Sequence, residues 1–320
     1  MEKFISNAPF ALVVVCLVVG FVLLIKGADF FVEGSSSVAK RLHIPAIIIG
    51  LTIVAMGTSL PETAVSISAA LKGSAEISLG NILGSNILNI LLILGLTALI
   101  CPVAVQKSTI RYEIPYVVLV SAVLMGIGYT DHMLSRLDGL ILWALMICYL
   151  LYLRRMVKSG EETLEGIPGE GVEMPVWKML LMIVAGGACI VVGSNLAVDS
   201  ASELARIFGM SERLIGLTIV AFGTSLPELV TSVTAAVKGK ADIAVGNIVG
   251  SNIFNILLVI GTSSLITPIV YAESFLVDSI VCIAVAILLW LCVFRNRKLS
   301  RMGGAILLIA DIVYFIYLVR

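Results

Sequence analysis

Gly50 to Gly95 reads GLTIVAMGTSLPETAVSISAALKGSAEISLGNILGSNILNILLILG, and Gly216 to Gly261 reads GLTIVAFGTSLPELVTSVTAAVKGKADIAVGNIVGSNIFNILLVIG. At a constant offset of 166, 31 of the 46 positions are identical without a gap. Shared hydrophobicity does not produce this agreement, because the matches include Pro, Glu, Asn, Thr and Ser. The chain therefore carries a duplicated unit. The same offset continues more weakly upstream, setting GADFFVEG (Gly27 to Gly34) against GSNLAVDS (Gly193 to Ser200).

Outward from the repeat, the composition names the solvent. Of 320 residues, 59% are hydrophobic and 13% charged, about half the charge of a soluble globular chain. Ten stretches of about 20 apolar residues, the length that crosses a bilayer as a helix, lie near 8–33, 43–71, 77–101, 113–130, 137–153, 178–205, 212–237, 243–267, 274–294 and 303–319. The reading is an all-α integral membrane protein of ten transmembrane helices. The first stretch lacks a basic segment before it and runs past 20 residues, so it is expected to stay as a span rather than serve as a cleaved signal. A polar, Gly- and Glu-rich segment divides the chain into a first five-helix repeat (1–158), a linker (159–175) and a second five-helix repeat (176–320). Five is odd, so equivalent helices run in opposite directions and the two repeats have inverted topology. That arrangement is characteristic of secondary transporters, whose sites lie near the midplane between the halves.

Fourteen Lys and Arg fall on one set of loops and six on the other. Short cytoplasmic loops retain positive charge, which places the linker in the cytoplasm and both termini outside a plasma (inner) membrane. Net charge is zero, with 21 basic and 21 acidic residues, so the basic footprint of a nucleic-acid partner is missing. Six cysteines form no CxxC pair and lie in or beside apolar stretches, and the two histidines, His43 and His132, sit at segment ends. Neither thiolate nor imidazole chemistry is expected in the membrane interior.

Within the repeat, Glu62 and Glu228 each occur in a GTSLPE motif in the middle of an apolar helix. An ionised carboxylate there costs several kcal/mol. A structural, hydrogen-bonded acid is the bland reading for one such residue, but two at equivalent positions point to a shared function. Pro61 and Pro227 lack an amide hydrogen and clash one turn back, loosening carbonyls over Ala55 to Thr58 and Ala221 to Thr224. Thr58, Ser59, Thr224 and Ser225 add hydroxyl oxygens on the turn that carries the acid. The next helix supplies Asn81, Ser85 and Asn89, or Asn247, Ser251 and Asn255, four residues apart and so on one stripe. Asn81 and Asn247 read as interhelical hydrogen-bonding residues, whereas Ser85, Asn89, Ser251 and Asn255 read as lining a site. All these ligands are oxygens, which select hard cations over zinc or copper. A flexible cage suits calcium better than magnesium. Two carboxylates give a charge of minus two, matched by one calcium or two sodium ions, which suggests exchange.

These motifs, GTSLPE followed by GNILGSNILN and GTSLPE followed by GNIVGSNIFN, resemble the two alpha-repeats of the sodium/calcium exchangers within the cation/calcium exchanger superfamily. The resemblance implies a prokaryotic-type calcium/sodium antiporter rather than an enzyme, with Ca2+ and Na+ as transported ions and no cofactor. It also implies a core of spans 2, 3, 7 and 8, against which long spans 1 and 6 slide during alternating access. Matched residue by residue, the family's ligands fall on Glu62, Glu228, Thr58, Ser59, Thr224, Ser225, Ser85 and Ser251, and on the carbonyls of Ala55 and Ala221. Asn89 and Asn255 take the remaining positions, where many relatives carry an aspartate in one repeat.

The nearest competitor is an antiporter of calcium or another divalent cation against protons, with Glu62 and Glu228 as proton carriers. A channel is disfavoured because filters usually arise from subunit rings. An intramembrane hydrolase is disfavoured because Ser59 and Ser225 have neither a GxSxG setting nor a base at similar depth.

Overall fold

The computed structural model describes residue 5 and residues 8–159, 174–210 and 221–319. Most of the expected linker, and residues 212–220 of the expected seventh span, lie outside the described residues. The chain is almost wholly helical. Its segments are α1 (Phe10–Leu42), α2 (Ala46–Thr58), α3 (Leu60–Leu71), α4 (Glu76–Ile100), α5 (Thr109–Asp131), α6 (Arg136–Ser159), α7 (Val176–Ile207), α8 (Leu226–Val237), α9 (Ala241–Ile266), α10 (Glu273–Phe294) and α11 (Arg301–Val319). Among the described residues, eight of these are single helices long and apolar enough to span a bilayer, and α2 with α3 makes a ninth, bent by 51°. This is a multi-pass membrane protein.

Two departures from the sequence reading have local causes. First, α1 continues to Leu42 rather than ending near residue 33. Its Ser35–Ser36–Ser37 stretch looks like an exit from the membrane, yet no residue there breaks the backbone. Ser37 donates its hydroxyl to the Glu33 carbonyl at 2.9 Å, Lys40 and Arg41 occupy the last turn, and the left-handed His43 (φ 54°) ends the helix. Basic residues in a last turn face the negative end of the helix dipole. Second, four two-residue strands interrupt the all-helical picture: β1 (Val103–Ala104), β2 (Met133–Leu134), β3 (Ile269–Val270) and β4 (Lys298–Leu299). β1 pairs antiparallel with β4, and β2 with β3. Each ladder joins a loop of the first half to a loop of the second.

The longest seam is between α1 and α7. A Cβ on Gly20 would lie 3.0 Å from the Gly193 carbonyl oxygen, and one on Gly27 2.9 Å from that of Gly186. The backbones touch, which only glycine permits. As residue numbers rise along α1 their partners fall along α7, so these two helices are antiparallel. At the other extreme, α9 is buried almost all round, including Asn247, Ser251, Asn252 and Asn255. A helix enclosed in this way is surrounded by protein rather than lipid. By contrast, α1 and α11 expose apolar side chains such as Val15, Val18, Val22, Ile309, Ile312 and Ile316, as lipid-facing helices do.

Candidate ion-binding site

Ser59 interrupts the second span. Its dihedrals (φ −81°, ψ 12°) leave the helical basin, and α3 starts afresh with Pro61 in its first turn. α8 repeats this start with Ser225 (φ −89°, ψ 2°) and Pro227. Proline is pre-organised for the first helical turn because its missing amide hydrogen has no partner there. Glu62 and Glu228 consequently sit in the first turns of new helices, where unpaired backbone N–H groups and the dipole favour a negative charge. The interruption that looks like a simple kink in sequence thus gives each buried acid partial compensation. Of the carbonyls expected to be loosened, that of Gly223 accepts the Ser194 hydroxyl at 3.0 Å. The carbonyl of Ala55, expected to be loosened, instead keeps its ladder bond from the Ser59 amide at 3.1 Å, because the break falls at Ser59 itself, and it lies 3.3 Å and 3.4 Å from the donating hydroxyls of Thr58 and Ser251.

Both glutamates are fully buried, and each is reached by the serine of the other half. Ser59 donates to Glu228 Oε1 at 2.8 Å. Ser225 donates to Glu62 Oε1 at 3.5 Å, as does Ser85 at 3.5 Å, and the two hydroxyls lie 3.3 Å apart. Since Ser225 precedes Glu228 by three residues on one turn, the two GTSLPE motifs face each other across the middle of the bundle. Asn81 donates to the Ser66 hydroxyl at 3.1 Å and Asn247 to that of Ser232 at 2.9 Å, tying α4 to α3 and α9 to α8. Thr58 donates to Asn247 Oδ1 at 2.9 Å, a bond between halves. Thr224 also takes part in a contact, and Ala221 begins the short helix Ala221–Gly223.

Asn86 and Asn252 are the residues that sequence reasoning passed over. Each donates its amide to the other's backbone carbonyl at 3.1 Å. Asn86 Oδ1 then accepts from Asn255 Nδ2 at 3.0 Å, and Asn252 Oδ1 accepts from Asn89 Nδ2 at 3.0 Å. This closed set of four amides fixes which way Asn89 and Asn255 point. Their nitrogens are used, and their oxygens are left facing elsewhere. The signal was present, because both asparagines are kept in the repeat, but each is one residue past the serine of its stripe and about 100° round the helix. At Asn89 and Asn255 the helices also loosen into π turns, Asn89–Leu94 and Asn255–Ile260, a distortion that tends to accompany functional positions.

Among the buried oxygens with no hydrogen-bond partner in the described residues are Glu62 Oε2, Glu228 Oε2, Asn89 Oδ1 and Asn255 Oδ1. They form two repeat-related pairs, and all are acceptors. Leaving a buried acceptor unsatisfied costs about 1–3 kcal/mol each, so four together are a strained arrangement unless a cation serves them. Among the described residues no three of His, Cys, Asp and Glu gather at one place. The donor set is hence two carboxylates with neutral hydroxyl, amide and carbonyl oxygens, a hard-cation set. Asp29, within the second half of α1, pairs with Lys238 at 2.9 Å, bridging α1 to the end of α8. Burial pushes the neighbouring Lys240 ammonium below its ordinary range, and Lys238 acts in the same direction.

A multi-pass helical membrane protein with an oxygen-lined, carboxylate-bearing centre is the class these features define. Residues 12–154 and 178–320 both match the sodium/calcium exchanger protein family, and the chain belongs to that family. It is 41% identical over 291 residues to the inner membrane protein YrbG of Escherichia coli strain K12, covering 86% of this chain and 87% of YrbG. It is 33% identical over 341 residues to the sodium/calcium exchanger MaX1 of Methanosarcina acetivorans, covering 94% and 97% of the two chains. Its structure superposes on that of the sodium-calcium exchanger NCX_Mj, soaked with zero Na+ and Ca2+, with a TM-score of 0.83 and 34% identity over 97% of this chain and 100% of that one.

Proposed function

We propose that the chain is a secondary antiporter that exchanges Ca2+ for Na+ by alternating access, at a site shared by its two halves. The carrying observation is the set of four unpartnered, fully buried acceptors on Glu62, Glu228, Asn89 and Asn255. The hydroxyls of Thr58, Ser59, Ser85, Thr224, Ser225 and Ser251, with the carbonyls of Ala55 and Ala221, complete the ligand set. Calcium accepts six to eight oxygens in flexible geometry, which this number of donors supplies. The exchanger names carried by MaX1 and NCX_Mj agree with this assignment.

The proposed architecture is ten spans in two inverted five-helix repeats, 1–158 and 176–320, joined by a cytoplasmic linker at 159–175, with both termini outside an inner membrane. The antiparallel seam between the repeat-equivalent α1 and α7 supports the inversion, as do the two cross-half ladders. Coupling follows from electrostatics. An empty site of charge minus two is too costly to carry past a dry barrier, so only forms neutralised by one calcium or by two sodium ions cross.

The test is radioactive calcium flux in proteoliposomes. Uptake is expected to require an outward sodium gradient and to persist when the pH gradient is collapsed. Uptake driven by a pH gradient with sodium removed would overturn sodium coupling in favour of proton exchange. Full uptake by the Glu62→Gln, Glu228→Gln double variant would overturn the site.

A further inference from the structure

Where α5 begins and α10 ends, a cavity of about 370 Å³ opens between the helices, lined by Lys107, Arg111, Arg297, Trp290, Phe294, Ile110 and Pro115. Three of these side chains are cations and none is an acid. Lys107, Arg111 and Arg297 are exposed, and among the described residues none of them makes an ion pair. The apolar wall is fixed: Trp290 donates its indole N–H to the Ile110 carbonyl at 2.9 Å, and its ring lies 4.5 Å from that of Phe294. The floor is fixed as well, because Val105 N donates to the Arg297 carbonyl at 2.9 Å beside the β1–β4 ladder.

The duplication supplies an internal control. Arg297 has left-handed backbone (φ 47°), and so does His132 (φ 51°) in the equivalent hairpin; the turn is a property of the framework. The side chains differ. Lys107 and Arg111 correspond, 166 residues on, to Glu273 and Val277, and Arg297 corresponds, by its place in the left-handed turn and at an offset of 165, to His132. One repeat thus concentrates three cations in a cavity, where the equivalent positions of the other repeat carry an acid, an apolar residue and an imidazole. Framework geometry does not require the cations; they lie on the set of loops that carries most of the Lys and Arg, the side on which anionic lipid is met, and here three of them converge on one cavity.

We propose that this cavity binds the headgroup of an anionic phospholipid, with Lys107, Arg111 and Arg297 around the phosphate and Trp290 and Phe294 against the glycerol and upper acyl region. Basic pockets between spanning helices suit such headgroups, and Trp is favoured at that depth because one end of its ring is apolar and the other polar. The site is separate from the buried glutamates and independent of the transport reading.

The experiment uses the full chain carrying Trp143→Phe and Trp177→Phe, so that Trp290 is the sole indole. It is reconstituted in phosphatidylcholine nanodiscs containing a small fraction of brominated phosphatidylglycerol or brominated phosphatidylcholine. Quenching of Trp290 is expected to reach half-maximum at a fraction of the brominated phosphatidylglycerol lower by at least roughly tenfold, since three surface cations attract an anionic headgroup. Lys107→Glu with Arg297→Gln should remove that preference and leave quenching by phosphatidylcholine intact. Should that variant fail to fold, the parent chain at raised salt is the second arm, where the preference should fall severalfold. Equal quenching by the two lipids, a preference that survives both arms, or displacement by millimolar inorganic phosphate would each overturn the proposal, the last by making the site one for free phosphate.

Discussion

Glu62 and Glu228 occupy identical motifs and yet sit in different surroundings. Glu228 Oε1 is held by one short bond from Ser59, at 2.8 Å, whereas Glu62 Oε1 is touched by Ser85 and Ser225, both at 3.5 Å. Asn247 adds a bond from Thr58 to its ties within its own half, tightening the second-half side further. The same residues, duplicated, are held tightly in one half and loosely in the other. Under the inverted arrangement and alternating access proposed above, this inequality is instructive, because exchanging the two geometries would produce the same molecule facing the opposite side.

The sharpest way to break this comparison is to remove the charges separately. Glu62→Gln and Glu228→Gln are each expected to reduce calcium flux by at least about 100-fold, since an unpaired change at a buried charged centre costs about 3–5 kcal/mol. Flux that survives either one would end the equivalence of the halves. A step smaller, Asn86→Leu and Asn252→Leu free the amides of Asn89 and Asn255 to turn. Each should raise the half-saturating calcium concentration about 5- to 30-fold, from one or two lost hydrogen bonds of about 1 kcal/mol each, with a similar value for both because their bonds match. A large difference between them would show that the closed amide set is not symmetric in solution. Ser59→Ala and Ser225→Ala sharpen the contrast itself. Loss of the 2.8 Å bond should cost several-fold more in calcium affinity than loss of the 3.5 Å one, and equal losses would mean that the two geometries interchange freely at rest. The smallest effect is expected of Lys238→Ala, which removes the partly exposed pair with Asp29. Such pairs contribute about 0–1 kcal/mol, so melting temperature should move by a few degrees at most and flux by less than about twofold.

Much of the candidate site was legible because its chemistry is unusual for its surroundings. A carboxylate, proline or asparagine inside an apolar helix has few innocent explanations, and the repeat doubled each signal. Asn86 and Asn252 escaped for the same physical reason that makes them useful: they point away from the stripe shared by Ser85 and Asn89, towards the other half, and a stripe read on one helix has no knowledge of its neighbour. The end of α1 at Leu42 was misjudged because serines resemble a boundary by polarity, although Ser37 turns its hydroxyl back to its own helix. The two-residue strands are too short to carry a periodic pattern at all.

Sequence by itself determined the membrane setting, the duplication, and the identity of the oxygen-bearing residues. These follow from residue type and linear spacing, which the solvent and the helix period translate directly into place. Tertiary structure alone decided that Ser59 serves Glu228 and Ser225 serves Glu62, that four amides close on one another, and that the acids stand at the starts of broken helices. Those facts depend on distances between segments about 166 residues apart, and no local preference encodes them; they exist only once the two halves are packed together.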